Sequence, residues 1–550
     1  MARFLFKSNK GENVNLKKKR LRGYWFLLPL FVLFDGCAYK HHQDIPAEKI
    51  VMKAPNDMFY SYGKTDVHTQ LPKSGFYPLP SALESLAARI FLMQHAQKSI
   101  DLQYYLIGFD EVGDLIFKSA LDAADRGVKV RILLDDMDLS DRDERLAMLD
   151  AHENVEIRVF NPTYFRGPLK YVEIGFRSNS VGRRMHIKSF NVDNSAIILG
   201  GRNLENSYFG ADETHMFLDN DILGIGPISS QLTYEFDTYW SSKNVYSLKE
   251  IGVADKHGNL DYLRQKAAKF AQQYDNTMYV KSAVETDFSK AFKAKALELT
   301  FAEGNIYYDD ATKVSTDAYD KSTHLIEQLK PYILNTTKSL RIINPYFVPN
   351  EDLMAFFKEL REKDVEIYIL TNSLPSADAP FVYAFYKQYQ KPLLEMGVHL
   401  YEVKSSGFKK SAYSHKFREA TGHYLSLQLH AKTMLIDDET LIVGSMNLDP
   451  RSNYLNAEIV ALIESRTLAE RMKPLFDTAF DTRNVFKLAL EPVAPYKEAG
   501  TGRLVEGESE IVWLSEENNV TIKYYNDAGA SFTNRLKANL LYYLPIGGTI

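Results

Sequence analysis

The stretch His186-Ile187-Lys188-Ser189-Phe190-Asn191-Val192-Asp193, followed by six residues and Gly200-Gly201-Arg202-Asn203, decides the reading of this chain because its pattern occurs twice. The second copy is His430-Ala431-Lys432, four residues, Asp437, six residues, then Gly444-Ser445-Met446-Asn447. The His, Lys, Asp, first Gly and Asn recur at identical offsets. With each residue type at roughly one position in twenty, five such matches arise by chance about once in three million starting positions. In a strand, residues i and i+2 face the same side. His186 and Lys188 therefore point one way and Ile187 the other, and His430, Lys432 and Ala431 repeat the arrangement. Two such strands bring two imidazoles and two ammonium groups around one anion.

The sequence outside the motifs repeats as well. In the first half, helix-spaced apolar residues run from Ser81 to Gln97, and a strand-like alternation follows from Lys98 to Tyr105. A helix-like run, Gly113 to Arg126, leads to apolar Val128 to Leu134, which ends at Asp135-Asp136; Val155 to Phe160 is a further strand. The second half replays this order with His324 to Thr337, Lys338 to Phe347, Glu351 to Lys363, Val365 to Leu370 and Val398 to Tyr401. Strands alternating with helices predict an α/β protein with a mostly parallel sheet covered on both faces. A length of 550 residues suits two or three domains. The expected division is an N-terminal segment 1–37, a polar linker 38–75, domains at 76–250 and 320–490, a polar, helix-leaning connector 251–319 and a tail 491–550.

Paired histidines suit phosphodiester chemistry. One must be neutral to attack phosphorus and the other protonated to release the alcohol. Like groups with pKa values pushed apart give that division of labour. Lys188 and Lys432 supply positive charge to phosphoryl oxygens, and Asn203 and Asn447 can donate amide hydrogens to the same oxygens. Gly201 and Ser445, beside those asparagines, are further substrate-binding candidates. Asp193 and Asp437 complete the motif and are grouped with His186, Lys188, His430 and Lys432 as the catalytic set, although their expected task is to pin the loop after each strand and they need not touch substrate. No His-Glu-x-x-His, EF-hand or Walker pattern occurs, so no metal and no cofactor is expected. The net charge of −5 argues against a nucleic-acid substrate, because such enzymes show a basic excess.

This duplicated His-x-Lys motif with its Asp and downstream Gly-x-Asn resembles the signature of the phospholipase D superfamily, from about Leu79 to Asn484. More narrowly, the chain is similar to bacterial cardiolipin synthases of the C type. That likeness lies in Arg184 through Tyr208-Phe209-Gly210, Lys391-Pro392-Leu393-Leu394, Leu400-Tyr401-Glu402, Asn447 through Arg451-Ser452, and Leu540 through Pro545. The resemblance implies two phospholipase D-like α-β-α sandwich domains related by a pseudo-two-fold, with one active site between them. It implies a covalent phosphohistidine, with His186 as nucleophile and His430 as general acid. A carboxylate holds each imidazole: Glu458 matches the family position for one, and Asp219, with Asp221 as runner-up, is the choice for the other. The implied reaction moves a phosphatidyl group onto phosphatidylglycerol, with phosphatidylethanolamine a further substrate candidate and a small companion protein a candidate partner. Hydrolysis to phosphatidate shares the first half-reaction and is the alternative; a nuclease and a non-enzymatic scaffold stand further off.

Lys17, Lys18, Lys19, Arg20 and Arg22 precede an apolar stretch from Tyr24 to Phe34 and then Asp35-Gly36-Cys37. This is the order of an export signal. The stretch is about half of what a spanning helix needs and contains Pro29. Gly36-Cys37 resembles a bacterial lipoprotein signal, although Phe34 stands where Leu is usual. A lipidated Cys37 and an uncleaved hydrophobic anchor both place the bulk of the chain outside the cytoplasm, in the cell envelope; a soluble cytoplasmic protein is the third reading. Cys37 is the one cysteine, which excludes an internal disulfide. Membrane-facing candidates are the Ser405–Arg418 loop with Lys409, Lys410 and Phe408, the aromatic Phe160–Phe176 segment, and an amphipathic helix from Ser531 to Leu544, for which packing on the second domain is the alternative. His215, His415 and His423 flank the motifs as head-group candidates.

Overall fold

The computed structural model describes residues 57–137, 139, 143–163, 165–166, 169–176, 178–212, 214–253, 260–274, 277–405, 426–497, 504–505 and 507–542. The basic cluster, the apolar stretch, Cys37, His415, His423 and most of the Ser405–Arg418 loop lie outside these residues.

Two half-sheets follow one plan. The first contains β1 (Ser74–Leu79), β2 (Ser99–Tyr104), β3 (Lys129–Asp135), β4 (Val155–Phe160), β5 (Lys188–Val192) and β6 (Ala196–Gly200). β7 (His215–Leu218) stands apart, and β8 (Asp221–Ile225) and β9 (Val245–Ser247) complete the set. Hydrogen bonding gives the order β1-β8-β6-β5-β2-β3-β4-β9. The second half contains β10 (Thr300–Tyr308), β11 (Ser339–Ile343), β12 (Glu366–Asn372), β13 (His399–Val403), β14 (Ser426–Leu429), β15 (Thr433–Ile436), β16 (Thr440–Gly444), β17 (Ile459–Glu464) and β18 (Val485–Glu491). Its order, β10-β17-β16-β15-β11-β12-β13-β18, matches the first. A two-residue ribbon, β19 (Tyr496–Lys497) with β20 (Leu504–Val505), precedes β21 (Glu510–Glu517) and β22 (Val520–Tyr524), which extend the sheet beyond β18. β1 pairs with β10 and joins the halves. β7 pairs with β14, so each half lends a strand to a second, small sheet.

The sheet is mixed, not mostly parallel. Within this sheet and among the described residues, only β2-β3-β4 and β11-β12-β13 run parallel, because those strands are joined through helices. The motif strands are hairpins, β5-β6 and β15-β16, and so short a connection can only be antiparallel. Asp193 and Asn194 turn the first with φ of 56° and 48°, and Asp437 and Asp438 turn the second with 55° each. These are left-handed values that Asp and Asn tolerate better than most residues.

Helices cover the faces by ordinary amphipathic logic. The Glu111–Asp125 helix is capped by the Asp110 side chain and buries Val112, Ile116, Phe117, Ala120 and Leu121. The Glu351–Glu362 helix is capped by Asn350 and buries Leu353, Phe356, Phe357 and Leu360. One apolar core runs through both halves, joining Met185, Ile187, Ile197 and Leu199 to Leu435, Val443, Ile459 and Ala461.

Three boundaries differ from the sequence reading. Residues 57–75 are no linker: Phe59 and Val67 are fully buried, and Phe59 N donates to Ser195 Oγ at 3.0 Å. The connector is helical at Leu260–Tyr274, but its last part is β10, which welds the halves. The tail carries β21 and β22 as an extension of the sheet, and its helix Phe532–Tyr542 buries Ala538 against the core while Phe532, Leu536 and Leu540 face outward. Among the described residues, no helix is long and apolar enough to cross a membrane.

Candidate active site

Each motif histidine enters the site just before its strand, and the opposite half holds its backbone. His186 N donates to Ala457 O at 2.8 Å, and Ala457 N donates to Arg184 O at 2.8 Å. His430 N and Ala431 N both donate to Leu218 O, at 2.8 and 2.9 Å. Within each half, the end of a parallel strand clamps the preceding residue. Asp135 accepts from Met185 N at 2.9 Å, and Asn372 exchanges two 2.9 Å hydrogen bonds with the backbone of Leu429.

The carboxylates cross between halves. Glu458, from the second half, lies 2.9 and 3.0 Å from Nδ1 of His186. Asp219, from the first, lies 2.6 Å from Nδ1 of His430. A carboxylate on Nδ1 fixes the tautomer with Nδ1–H donating and leaves Nε2 for the reacting atom. The lysines close the arrangement: Lys188 Nζ donates to His186 O at 2.6 Å, and Lys432 Nζ lies 3.0 and 3.1 Å from the ring nitrogens of His430. All six groups are buried.

Burial, then the lysine charges, hold both imidazoles well below their ordinary pKa, so both are neutral at rest. Burial pushes Glu458 up to about 7 against the pull of Lys188, and pushes Asp219 up against Lys432. Burial lowers Lys432 to about 8 and Lys188 well below its usual value.

The two carboxylates are anchored differently. Glu458 accepts from Ser445 Oγ and from Ser452 Oγ, each at 2.6 Å. Its backbone N donates to Asp309 at 2.9 Å, and the buried Asp309–Lys313 pair at 2.8 Å braces that contact. Asp219 accepts from the Asn220 backbone at 2.8 Å. At Gly201, the counterpart of Ser445, an added Cβ would stand 2.3 Å from Asp219 Oδ1, so the smaller residue leaves room for this carboxylate.

The remaining sequence candidates fall as follows. Asp193 and Asp437 are not brought to the imidazoles. They lie seven residues on, roughly 23 Å along an extended chain. Asp193 accepts from the backbones of Gln97, Lys98 and Ser99, and Asp437 from Thr337, Lys338 and Ser339. They pin the loops, and their grouping with the catalytic set is corrected. Gly201 and Ser445 support the carboxylates. Asn203 Nδ2 donates to Tyr208 Oη at 3.0 Å. The side-chain oxygens of Asn203 and Asn447 are buried and have no hydrogen-bond partner among the described residues. Asp221, the alternative to Asp219, does not serve an imidazole, because Ser85, Arg89 and Arg202 hold it at 2.5, 3.1 and 3.2 Å. His215 sits on β7 beside Asp212, 3.3 Å away.

Aromatic side chains, which the motif spacing does not reveal, surround both imidazoles. Tyr105 meets His186 edge-on at 5.2 Å, while Tyr208, Phe217 and Tyr346 border His430 at 5.0, 5.2 and 6.2 Å. One signal was available: Tyr208 and Ser452 each follow the motif asparagine by five residues.

A family model described as "Cardiolipin synthase, PLD-like domain" matches residues 90–240 and again 329–479, more than half of the chain. Cardiolipin synthase C of Escherichia coli is 34% identical over 474 residues, covering 86% of this chain and 95% of the relative. An uncharacterized protein of Helicobacter pylori strain 26695 is 34% identical over 85% of this chain and 88% of its own length. Among solved structures, phosphatidylserine synthase of Haemophilus influenzae matches 75% of this chain and 89% of its own with a TM-score of 0.49 and 14% identity, a likeness too slight to bear on activity. The duplicated match and the near full-length relative lead to one conclusion: the chain belongs to the cardiolipin synthase family with two phospholipase D-like repeats.

Proposed function

We propose that the protein is a phosphatidyltransferase that makes cardiolipin by moving a phosphatidyl group onto a hydroxyl of phosphatidylglycerol through a phosphohistidine. The observation that carries this reading is the crossed pairing of His186 with Glu458 and of His430 with Asp219 around two lysines. Cardiolipin synthase C among the relatives supports the choice of product.

Neutral His186 attacks phosphorus with Nε2 while Glu458 stabilises the positive charge that develops on the ring. Lys188, Lys432 and the amides of Asn203 and Asn447 receive the non-bridging oxygens. The anionic phosphate offsets the two lysine charges, so His430 takes a proton as substrate binds. It gives that proton to the departing alcohol as the P–O bond breaks. In the second half-reaction Nε2 of His430 removes the proton of the acceptor hydroxyl. The acceptor oxygen bonds to phosphorus, and the P–N bond electrons return to His186. Phosphatidylglycerol is the acceptor, and phosphatidylglycerol or phosphatidylethanolamine is the donor. The outward Phe532, Leu536 and Leu540, with Arg535 and Lys537 on the same helix, suit an anionic membrane surface. The envelope placement, through Cys37 or an N-terminal anchor, and the small companion protein belong to the same reading.

The test is purified full chain in mixed micelles of phosphatidylethanolamine and phosphatidylglycerol, alongside His186→Ala and His430→Ala, with products read by mass spectrometry. Cardiolipin that vanishes in both variants is expected. Phosphatidate alone, with or without a co-expressed small partner, replaces this reading with a hydrolase.

A further inference from the structure

Tyr208 and Ser452 occupy equivalent positions in the two repeats, yet their hydroxyls go to different places. Ser452 Oγ donates to Glu458, the carboxylate behind His186. The Tyr208 hydroxyl lies 3.4 Å from Nε2 of His430, on the reacting side of that ring. Because Asp219 holds Nδ1–H, Nε2 carries the lone pair and the phenol is a donor to it; Lys432 Nζ, almost equally near both ring nitrogens at 3.0 and 3.1 Å, lies over the ring and off the axis of that lone pair. Asn203 donates to the same phenol at 3.0 Å and holds it in place. Burial raises the Tyr208 pKa well above its usual value, so the phenol keeps its proton. The ring is fixed as well: Tyr208 stacks on Phe217 at 4.6 Å, and Phe217 and Tyr346 border the same imidazole. The base of the second half-reaction thus rests against a hydroxyl that is not a nucleophile, inside an aromatic wall.

At that stage the phosphohistidine can be attacked by water or by a lipid hydroxyl, and both need Nε2 of His430. We infer that Tyr208 decides between transfer and hydrolysis: its hydroxyl holds the place on Nε2 that water would take, and yields it to the hydroxyl of a bound acceptor lipid. The inference rests on the phosphatidyl transfer proposed above. A lipid acceptor has contacts remote from its hydroxyl whose binding energy can displace the phenol. Water has none. When the acceptor binds, its proton passes to Nε2, its oxygen bonds to phosphorus, and the electron pair of the P–N bond returns to His186. Tyr208 keeps its proton throughout.

The experiment compares full-length wild type, Tyr208→Phe and Phe217→Leu on phosphatidylglycerol micelles with ethanol added. Cardiolipin, phosphatidate and phosphatidylethanol are read together by mass spectrometry, with thermal melts to register folding. Tyr208→Phe removes the hydroxyl and keeps the ring, so small nucleophiles gain access. The phosphatidate-to-cardiolipin ratio is expected to rise about threefold to tenfold, the effect of one lost hydrogen bond, and phosphatidylethanol is expected to rise with it. Phe217→Leu, which loosens the wall, is expected to move the ratio the same way. An unchanged ratio in both variants, or a fall of all products in proportion, overturns the inference and leaves the transferase reading standing. A wild-type protein that yields phosphatidate alone overturns both.

Discussion

Glu458 and Lys432 change charge within a narrow pH range, Glu458 near 7 and Lys432 near 8, each displaced there by burial. Below the first value Glu458 is protonated and no longer stabilises the positive charge that develops on His186 in the proposed attack; above the second, Lys432 no longer charges the proposed phosphate site. kcat/KM on a soluble short-chain phospholipid is therefore expected to be bell-shaped with a narrow maximum between the two. Glu458→Gln is expected to remove the acid limb and lower the rate by about two to four orders of magnitude; an acid limb that persists in this variant contradicts the assignment. The same shift acts on stability with a defined sign. A carboxyl whose pKa rises from 4.5 unfolded to about 7 folded favours the fold below pH 4.5, and that contribution is lost as pH climbs through 7. The conditions that ionise Glu458 for catalysis thus cost stability. His186, Lys188, His430 and Lys432 were legible in the sequence because the chemistry dictates the residue types and the repeat dictates the spacing. Tyr208 had no legible role: its contact with His430 spans 222 positions and depends on how two repeats meet.

The motif hairpins show what the repeated aspartates do. In β5-β6, Asp193 adopts φ 56° and accepts three backbone N–H groups at the start of β2, so one side chain fixes both a turn and the register of its neighbour strand. Asp193→Ala is expected to lower stability by about 1–3 kcal/mol, because it leaves three part-buried backbone donors without their acceptor. Activity per folded molecule should fall by less than about threefold, since Asp193 lies a strand's length from the imidazoles. Urea unfolding and a turnover assay on the same sample check both; a large loss of turnover at unchanged stability would return Asp193 to the catalytic set. Helices with a clean apolar stripe, such as Glu111–Asp125, were readable from spacing alone. β10 was not, because Gly304 stands at the inward position between buried Ala302 and Ile306 and leaves no apolar side chain there to mark the alternation. Its strand character comes from pairing with β1 through Thr300–Ala302 and with β17 through Glu303–Tyr308, a tertiary cause that leaves little trace in the local sequence.

At the scale of the molecule, duplication has been turned into interdependence. Neither repeat holds a complete acid–base pair: His186 relies on Glu458 and His430 on Asp219. The backbone bonds of His186 to Ala457 and of His430 to Leu218 cross the same boundary, and a shared core lies beneath both. The duplication itself is evident from two motifs at matching places, and both carboxylates are legible near their motifs; which histidine each serves depends on the way the halves face one another. The most direct test is to trap the phosphoenzyme. A short-chain phospholipid labelled in its phosphatidyl portion is mixed with wild type, His186→Ala and His430→Ala, quenched at neutral to alkaline pH, and the labelled peptide identified by mass spectrometry. The expected result is label on His186 in wild type and in His430→Ala, where it turns over slowly, and none in His186→Ala. Label on His430, or product formation in His186→Ala at the wild-type rate, would contradict the crossed two-histidine site with His186 as its nucleophile.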